Sequence, residues 1–233
     1  MSGITRIQKS RDDSKRPTQE RERGKEVWLK DGDQIFCTSI ATGDENDTLL
    51  DEIYMYTFRV GTRWVNLLKN AKVDLETIKQ HVPEDTRPSH KFAFWAYVHH
   101  IIHAEKRVDD WEEVEGPAGK KMFKETVNDF RIISLGFGRS DYVWNQLVEV
   151  YSDWGGLNKG VIRAKRTGSG MFDTSYSITS TPRKEEIPSD KLKEVKDLPA
   201  IKDYYMERYG NLPEELNEIE TTSSKEDDIS LFS

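Results

Sequence analysis

The chain has 233 residues, of which 35% are hydrophobic and 33% are charged, which is enough for one domain with polar extensions. No apolar run is long enough to span a membrane, and the N-terminus lacks the apolar core of a signal peptide. Cys37 is the only cysteine, so the sequence excludes an intramolecular disulfide and a cysteine-rich zinc site. We therefore expect an intracellular protein in a reducing compartment, with no membrane partner.

The net charge of −7 conceals three segments whose charges differ in sign. Residues 1–25 contain eight bases and four acids, and residues 156–184 contain six bases and one acid. Residues 211–233 contain seven acids and one base. A basic arm, a basic patch and an acidic tail favour a polyanionic partner for which the tail competes, although such charge runs also occur as plain solvated surface.

The N-terminal half predicts a polar arm followed by β-strands. Residues 1–24 contain almost no apolar residue, which is typical of a disordered arm. Residues 25–42 contain two short apolar runs around an Asp-Gly turn signal. Residues 51–68 are rich in aromatic and β-branched residues around a glycine, which predicts two strands joined by a tight turn or one bulged strand. Residues 69–90 are predicted to be helical or irregular.

Residues 91–103 carry the strongest strand pattern. Alternation predicts a core face that contains Phe92, Phe94, Ala96 and Val98. The opposite face carries Lys91, Trp95, Tyr97 and His99.

In the rest of the chain, residues 104–120 are predicted to form a loop and residues 121–136 a strand pair. A helix is predicted at residues 139–155, a hairpin at 160–182 and helical pieces at 189–210. The helix is the clearest of these, because Val143, Leu147 and Val150 recur at helical spacing. The final helical pieces are separated at Pro199. This order favours a mainly β fold with some α, an α+β barrel, over a parallel α/β sheet.

Catalytic motifs are weak in this sequence. The stretch RTGSGMFDT has glycines but lacks the GxxxxGK[ST] pattern of a phosphate-binding loop, and nothing places a base beside Ser169. The run HHIIH suggests a metal site, but it lies far from the only cysteine and shows no characteristic spacing to acids. We expect a protein that is not an enzyme and that has no cofactor and no metal.

Binding to a single-stranded nucleic acid is better supported. Bases stack on aromatic rings, and cationic side chains neutralise phosphates. The non-core faces of the predicted strands supply both kinds of residue, and the candidate DNA-binding set is Tyr54, Tyr56, Arg59, Arg63, Trp64, Trp95, Tyr97, Arg131, Arg163, Lys165 and Arg166. Any single aromatic of this set could instead pack in the core, and alternation does not decide which face of residues 53–58 is buried.

The stretch YVWNQLVEVYSDWGGLNKGVIRAKRTGSGMFDTSYSIT, residues 142–179, resembles the C-terminal part of bacteriophage single-stranded-DNA-binding proteins. In that group a helix leads into RTGSG followed by DT.Y. VWLKDGDQIFCTSI resembles the opening of the same group, and KFAFWAYV its central strand, so the resemblance covers roughly residues 26–180. The RTGSG turn can also be a purely structural hairpin turn, whose glycines permit close approach of a second strand.

The resemblance implies a gene-32-type binder with an OB-like five-stranded β-barrel, a packed helix and no enzymatic activity. It implies single-stranded DNA as the partner, with roles in replication, recombination and repair in the host cytoplasm. Many relatives carry a cysteine-rich zinc insert, but residues 65–90 contain no cysteine, so zinc is not carried over. The expected organisation is a basic arm, a DNA-binding core, a helical appendage and an acidic tail, at residues 1–24, 25–185, 186–210 and 211–233.

Single-strand binders of this kind typically end in an acidic tail with an apolar tip, and EDDISLFS is similar. The tail would compete for the cationic groove and, once displaced, would recruit a polymerase, helicase or recombinase. Its predicted partner-binding residues are Asp227, Asp228, Ile229, Leu231 and Phe232. The arm is expected to support cooperative self-association. Two alternatives remain open, namely a protein-interaction or virion-assembly module that binds no nucleic acid, and a metal-dependent nuclease that uses Asp and Glu.

Overall fold

The computed structural model describes residues 24–60, 63–71, 82, 86–137, 142–169, 173–181 and 186–211. The predicted arm and tail therefore lie outside the described residues, apart from Gly24 and Asn211. The strands are β1 Gln34–Ser39, β2 Leu50–Val60, β3 Arg63–Leu68, β4 Ser89–His103, β5 Glu112–Glu115, β6 Lys121–Gly136, β7 Val161–Thr167 and β8 Ser175–Thr181. The α-helices are α1 Tyr142–Trp154, α2 Ser189–Leu192 and α3 Ile201–Tyr209, and a 3-10 turn at Lys193–Asp197 follows α2.

The long strand β4 is the centre of an antiparallel sheet formed by the eight described strands. One edge of β4 pairs with β6 along its length. The other edge is shared, because β2 pairs with Ser89–Phe94 and β1 pairs with Ala96–Ile102. β3 extends the sheet beyond β2, and β7 and β8 extend it beyond β1. The mainly β prediction with some α is thus confirmed.

The predicted core face of β4 is confirmed. Phe92, Phe94, Ala96 and Val98 are all buried. They pack in one cluster with β1, β6 and β7, and α1 covers them through Val143, Leu147 and Val150. The predicted helix therefore exists at Tyr142–Trp154, and its apolar stripe faces the sheet.

The opposite face of β4 is also buried, because the C-terminal segment 186–210 lies across it. Ile201 and Tyr205 of α3 are fully buried there, in one cluster with Trp95 and Tyr97. The Ile201 amide donates a hydrogen bond to the Thr48 carbonyl, which fixes the start of α3. The helical pieces on either side of Pro199 match the prediction, but their position on the sheet was not predicted.

A short N-terminal segment, residues 25–33, joins β6 to β7. The Ile132 amide of β6 donates to the Lys25 carbonyl, and Val27 donates to the Ile132 carbonyl. Gly32 then donates to the Arg166 carbonyl of β7, and Arg166 donates to the Asp33 carbonyl. The Asp-Gly turn exists as predicted, and Gly32 adopts a φ of +80°, a conformation that glycine favours.

Two local predictions differ from the structure. Residues 121–136 form one strand with an irregularity rather than a strand pair, since the register with β4 shifts near Asn128, which has a φ of +47°. The predicted loop at 104–120 contains β5, which pairs with the start of β6. Among the described residues, no helix combines the length and apolar character needed to cross a membrane.

Candidate nucleic-acid interface

A basic groove of about 630 Å³ opens where residues 30–32, the loop after β4 and the end of β7 meet. Of the described residues that line it, five are cationic and two are acidic. The lining consists of Lys30, Asp31, Gly32, Ala104, Glu105, Arg107, Lys120, Lys165, Arg166, Thr167 and Ser169. This surplus of positive charge in a concave site favours an anionic ligand with several phosphates.

The turn at Asp31-Gly32 sets the shape of this groove. The Asp31 carboxylate accepts a hydrogen bond from the Gly168 amide at 2.8 Å, which connects the turn to the RTGSG segment. Gly168 has a φ of +91°, and a side chain on it would collide with the Asp173 backbone. The glycine of the motif therefore permits close packing of a hairpin.

Arg166 lies in the groove wall with most of its hydrogen-bonding groups directed into the protein. Its Nη1 donates to the Leu29 carbonyl at 2.6 Å, and its Nη2 donates to Thr174 Oγ1 at 3.1 Å. These bonds tie the N-terminal segment to the β7–β8 hairpin. Arg166 is thus a structural link, and it also adds positive charge to the groove wall.

The outward face of β1, β4 and β7 continues from the groove at Lys165. Phe36 of β1 stacks on His100 of β4 with ring centroids 4.5 Å apart. The Arg163 guanidinium lies 5.7 Å from the Phe36 ring and donates through Nε to Gln34 Oε1 at 3.0 Å. This face, called the Phe36 face below, places a half-buried aromatic ring beside a cation.

The β2–β3 hairpin carries a second group of predicted residues at the other end of β4. Trp64 is 61% exposed, and it pairs in register with the exposed Arg59. Tyr54 stacks on His90 at 4.2 Å, and Tyr56 is half-buried against the small cluster that contains Phe58. The Arg63 side chain lies outside the described part of the chain. The hairpin is attached at Ser89–Phe94, whereas the groove lies beyond His103, so the predicted set falls into two regions.

The prediction that Trp95 and Tyr97 lie on an exposed face is wrong. Each side chain is only 2% exposed, because segment 186–210 covers this face of the sheet. Neither ring can stack on a base in this arrangement. Arg131 is half-buried, and its Nη2 lies 3.4 Å from the Asp129 carboxylate, so part of its charge is already paired.

The structure adds residues that the sequence prediction missed. Lys30 lines the groove together with Arg107 and Lys120 of segment 104–120, which is 74 or more positions away, so no local pattern could reveal the group. Alternation along β1 could have identified Phe36, since Ile35 and Cys37 point into the core. Trp28 is 63% exposed, and Lys91 Nζ lies 5.8 Å from its ring centroid.

A small cavity of about 90 Å³ lies next to Trp28. Lys91, Arg166 and Tyr176 are among the residues that line it. Because Arg166 lines both this cavity and the basic groove, the two sites are neighbours. Burial lowers the pKa of Lys91, while the nearby Glu26 carboxylate opposes this effect. Trp28 and Lys91 therefore place an exposed ring and a cation beside this cavity.

A buried polar network lies behind the groove, centred on Asp33. The Asp33 carboxylate accepts hydrogen bonds from the Lys30 and Ala104 amides and from Arg107 Nη2. His103 lies 3.2 Å from Asp33 through Nδ1 and 2.8 Å from Glu125 through Nε2. The His103 ring also stacks on Trp111, with centroids 3.8 Å apart.

Hydrogen bonding outweighs burial in setting the pKa values of this network. Burial would raise the pKa of Asp33, but the hydrogen bonds from His103, Lys30, Ala104 and Arg107 lower it to about 2. Burial would lower the pKa of His103, but its hydrogen bonds to Asp33 and Glu125 raise it. The network therefore favours the charged form of each group.

The histidines of HHIIH occupy different environments. His99 is buried and lies 2.9 Å from Thr38 Oγ1 through Nε2, His100 stacks on Phe36, and His103 belongs to the Asp33 network. Within the described ranges, no group of three or more His, Cys, Asp or Glu side chains is arranged to hold a metal ion.

No protein-family model matches the chain, and no curated protein matches it either.

Proposed function

We propose that this protein binds single-stranded DNA through the basic groove and the adjoining Phe36 face, and that it is not an enzyme. The observation that carries the proposal is the continuity of the two surfaces at Lys165, which combines several cations with a half-buried aromatic ring. Phosphates would lie along Lys30, Lys120 and Lys165, and bases would stack on the aromatic rings beside them.

The proposed architecture is an OB-like barrel of the kind found in bacteriophage single-strand binders. The sheet of antiparallel strands, the packed helix α1 and the RTGSG hairpin support this assignment. In such a protein the acidic tail competes with DNA for the groove and then recruits replication or recombination proteins. The basic arm assists cooperative contact between neighbouring copies.

The test is a tryptophan-fluorescence titration of the full chain with oligo-dT and with duplex DNA at several salt concentrations. We expect preferential binding of oligo-dT with a log K that falls linearly with log salt. Replacing Lys120 and Lys165 together by alanine should reduce that slope by about 1.4, which corresponds to two lost phosphate contacts on a single strand. The matched control replaces the exposed Lys193 and Lys196, which lie outside the groove. Equal effects of both double variants would contradict the proposed groove.

A variant of the full chain tests the tail. Replacing Asp227 and Asp228 by asparagine should tighten oligo-dT binding at low salt, because two charges that compete with DNA are lost. Unchanged affinity would show that the tail does not compete with DNA for the groove.

A protein-interaction module is the second candidate, and exposed apolar residues on α1 favour it. Tyr142 is 57% exposed and Val148 43%, on the side of the helix away from the sheet. If neither oligo-dT nor duplex DNA binds, and if alanine variants at these two positions abolish a protein complex, this candidate is preferred.

A further inference from the structure

Arg107 lines the basic groove while its guanidinium is anchored from behind. Its Nη2 donates to both carboxylate oxygens of Asp33, at 3.0 and 2.9 Å. Its Nη1 lies 3.1 Å from Nδ1 of His103. The Arg107 side chain is 22% exposed and that of Asp33 is fully buried, so Arg107 connects the buried carboxylate to the groove.

The Nδ1 atom of His103 has two competing partners. It lies 3.2 Å from Asp33 Oδ2, which can only accept a hydrogen bond, and 3.1 Å from Arg107 Nη1, which can only donate one. A single ring nitrogen either carries a proton and donates or has a free lone pair and accepts. The two contacts are therefore mutually exclusive as hydrogen bonds.

The protonation state of His103 decides which contact forms. In the neutral ring that donates Nε2–H to Glu125, Nδ1 accepts from Arg107 Nη1. In the imidazolium, both nitrogens donate, Nε2 to Glu125 and Nδ1 to Asp33, and Arg107 Nη1 loses its acceptor. Nη2 of Arg107 keeps its bonds to Asp33 in both states, so the guanidinium stays in place while one of its nitrogens becomes available.

We propose that protonation of His103 releases Nη1 of Arg107 to bind a phosphate in the basic groove, so that affinity for a polyanion increases as His103 takes up a proton. The inference rests on the proposed function, since it takes the phosphodiester of a single strand as the ligand of the groove. The proton also adds a positive charge behind the groove, which acts in the same direction. By linkage, a bound phosphate raises the proton affinity of His103 by the same factor.

Among the described residues, few other groups around His103 could produce this effect. In that part of the chain, the charged groups that face its ring are Asp33 before β1, Glu125 on β6 and Arg107 in the loop after β4. Trp111 covers the ring by stacking, and Lys30 and Ala104 meet Asp33 through their amides. Because the pKa of Asp33 is lowered to about 2, this carboxylate stays ionised throughout the range in which a histidine titrates.

The first experiment measures oligo-dT affinity of the full chain between pH 5.5 and 8.5 at constant ionic strength. We expect binding about tenfold tighter at the acidic end, the effect of one additional charge-assisted hydrogen bond. Arg107→Lys keeps the positive charge beside Asp33 but removes the planar second nitrogen, so its affinity should depend much less on pH. The control is His90→Gln, which changes a titratable group at the other end of β4 and should leave the pH profile unchanged.

Glu125→Gln provides a variant that avoids a large change in the core, because the Glu125 side chain is 38% exposed. It removes a carboxylate that stabilises the imidazolium, so the midpoint of the pH profile should move to lower pH. Equal pH profiles for wild type, Arg107→Lys and Glu125→Gln would overturn the inference and leave DNA binding intact.

A direct measurement follows the His103 ring signals by NMR during a pH titration, with and without tripolyphosphate. We expect a higher midpoint when tripolyphosphate is present. A raised His103 midpoint without any oligo-dT binding would support the coupling of His103 protonation to phosphate binding, and it would overturn DNA as the ligand. An unchanged midpoint with pH-independent oligo-dT binding would overturn the switch alone. If neither probe binds at any pH, both proposals are wrong.

Discussion

The indole Nε1 of Trp95 donates a hydrogen bond to the Pro199 carbonyl oxygen, 2.9 Å away, across 104 positions of the sequence. This bond joins the centre of β4 to the segment that precedes α3. Tyr204 adds an edge-to-face contact with the same indole, with centroids 5.8 Å apart. The C-terminal segment is therefore an integral layer of the fold, and residues 186–210 pack into its core rather than beside it.

Trp95→Phe should destabilise the fold by roughly 1–3 kcal/mol, because it removes the bond to Pro199 and leaves a small cavity. The measurement is urea unfolding followed by circular dichroism. Oligo-dT affinity should remain unchanged, since the buried indole cannot reach DNA. The control is Trp64→Phe, whose exposed side chain should change the unfolding free energy by about 0.5 kcal/mol or less. A loss of affinity without a loss of stability would place Trp95 in the interface after all.

Trp28 and Trp64 should respond differently to a bound single strand. Trp28 lies next to the basic groove, so Trp28→Ala should weaken oligo-dT binding by about tenfold, which matches the lower range of one base-stacking contact. Trp64 lies on the hairpin at the other end of β4, so Trp64→Ala should have a smaller effect with short oligomers. The measurement compares both variants with a short and a long oligo-dT. An effect of Trp64→Ala that grows with oligomer length would indicate a strand that reaches the hairpin.

Asp33→Asn should destabilise the protein in a pH-dependent manner. The pKa of Asp33 is lowered from an ordinary value near 3.8 to about 2 by its hydrogen bonds, so the ionised form contributes stability above pH 4. That contribution, on the order of 2 kcal/mol, is lost as the pH falls from about 4 to about 2. Denaturant unfolding of wild type and variant should therefore show a gap at pH 7 that narrows in acid. The exposed Asp109→Asn is the control, and a gap that does not vary with pH would argue against an ionised Asp33.

Arg166→Lys should reduce the stability of the fold although it keeps the positive charge. Lysine keeps the positive charge of the groove but cannot bond the Leu29 carbonyl and the Thr174 hydroxyl together. We expect a loss of about 1–3 kcal/mol in urea unfolding, with little change in the salt dependence of oligo-dT binding. Lys165→Arg, which changes a neighbouring cation of the groove, is the matched control. A reduced salt slope in Arg166→Lys would instead make Arg166 a direct phosphate contact.

Alternation along single strands predicted much of the core but little of the site. It identified Phe92, Phe94, Ala96 and Val98 correctly, because each strand carries its own two-residue period. It misplaced Trp95 and Tyr97, because β4 is buried on both faces. The segment that covers the second face lies about a hundred residues further along the chain, so the pattern of β4 itself does not reveal it.

The basic groove could not be predicted from the sequence for a related reason. Lys30, Arg107, Lys120 and Lys165 lie 13 to 135 positions apart, and only the folded backbone brings them together. The resemblance to phage single-strand binders drew attention to RTGSG, and Lys165 and Ser169 in and beside it do line the groove. Arg166 turned inward because it shares the face of β7 that carries Ile162 and Ala164.

The contact between α1 and β8 also bears on how copies of the chain meet. Gln146 donates to the Tyr176 carbonyl and accepts from the Ile178 amide, so its side-chain amide satisfies two of the β8 groups that a further strand would use. An unpaired edge of this kind is a template for pairing with another chain, and fibrous aggregates grow by that route. The glutamine therefore acts as a terminator of the sheet. For the single-strand binder proposed above, such a terminator would let neighbouring copies lie side by side without merging their sheets.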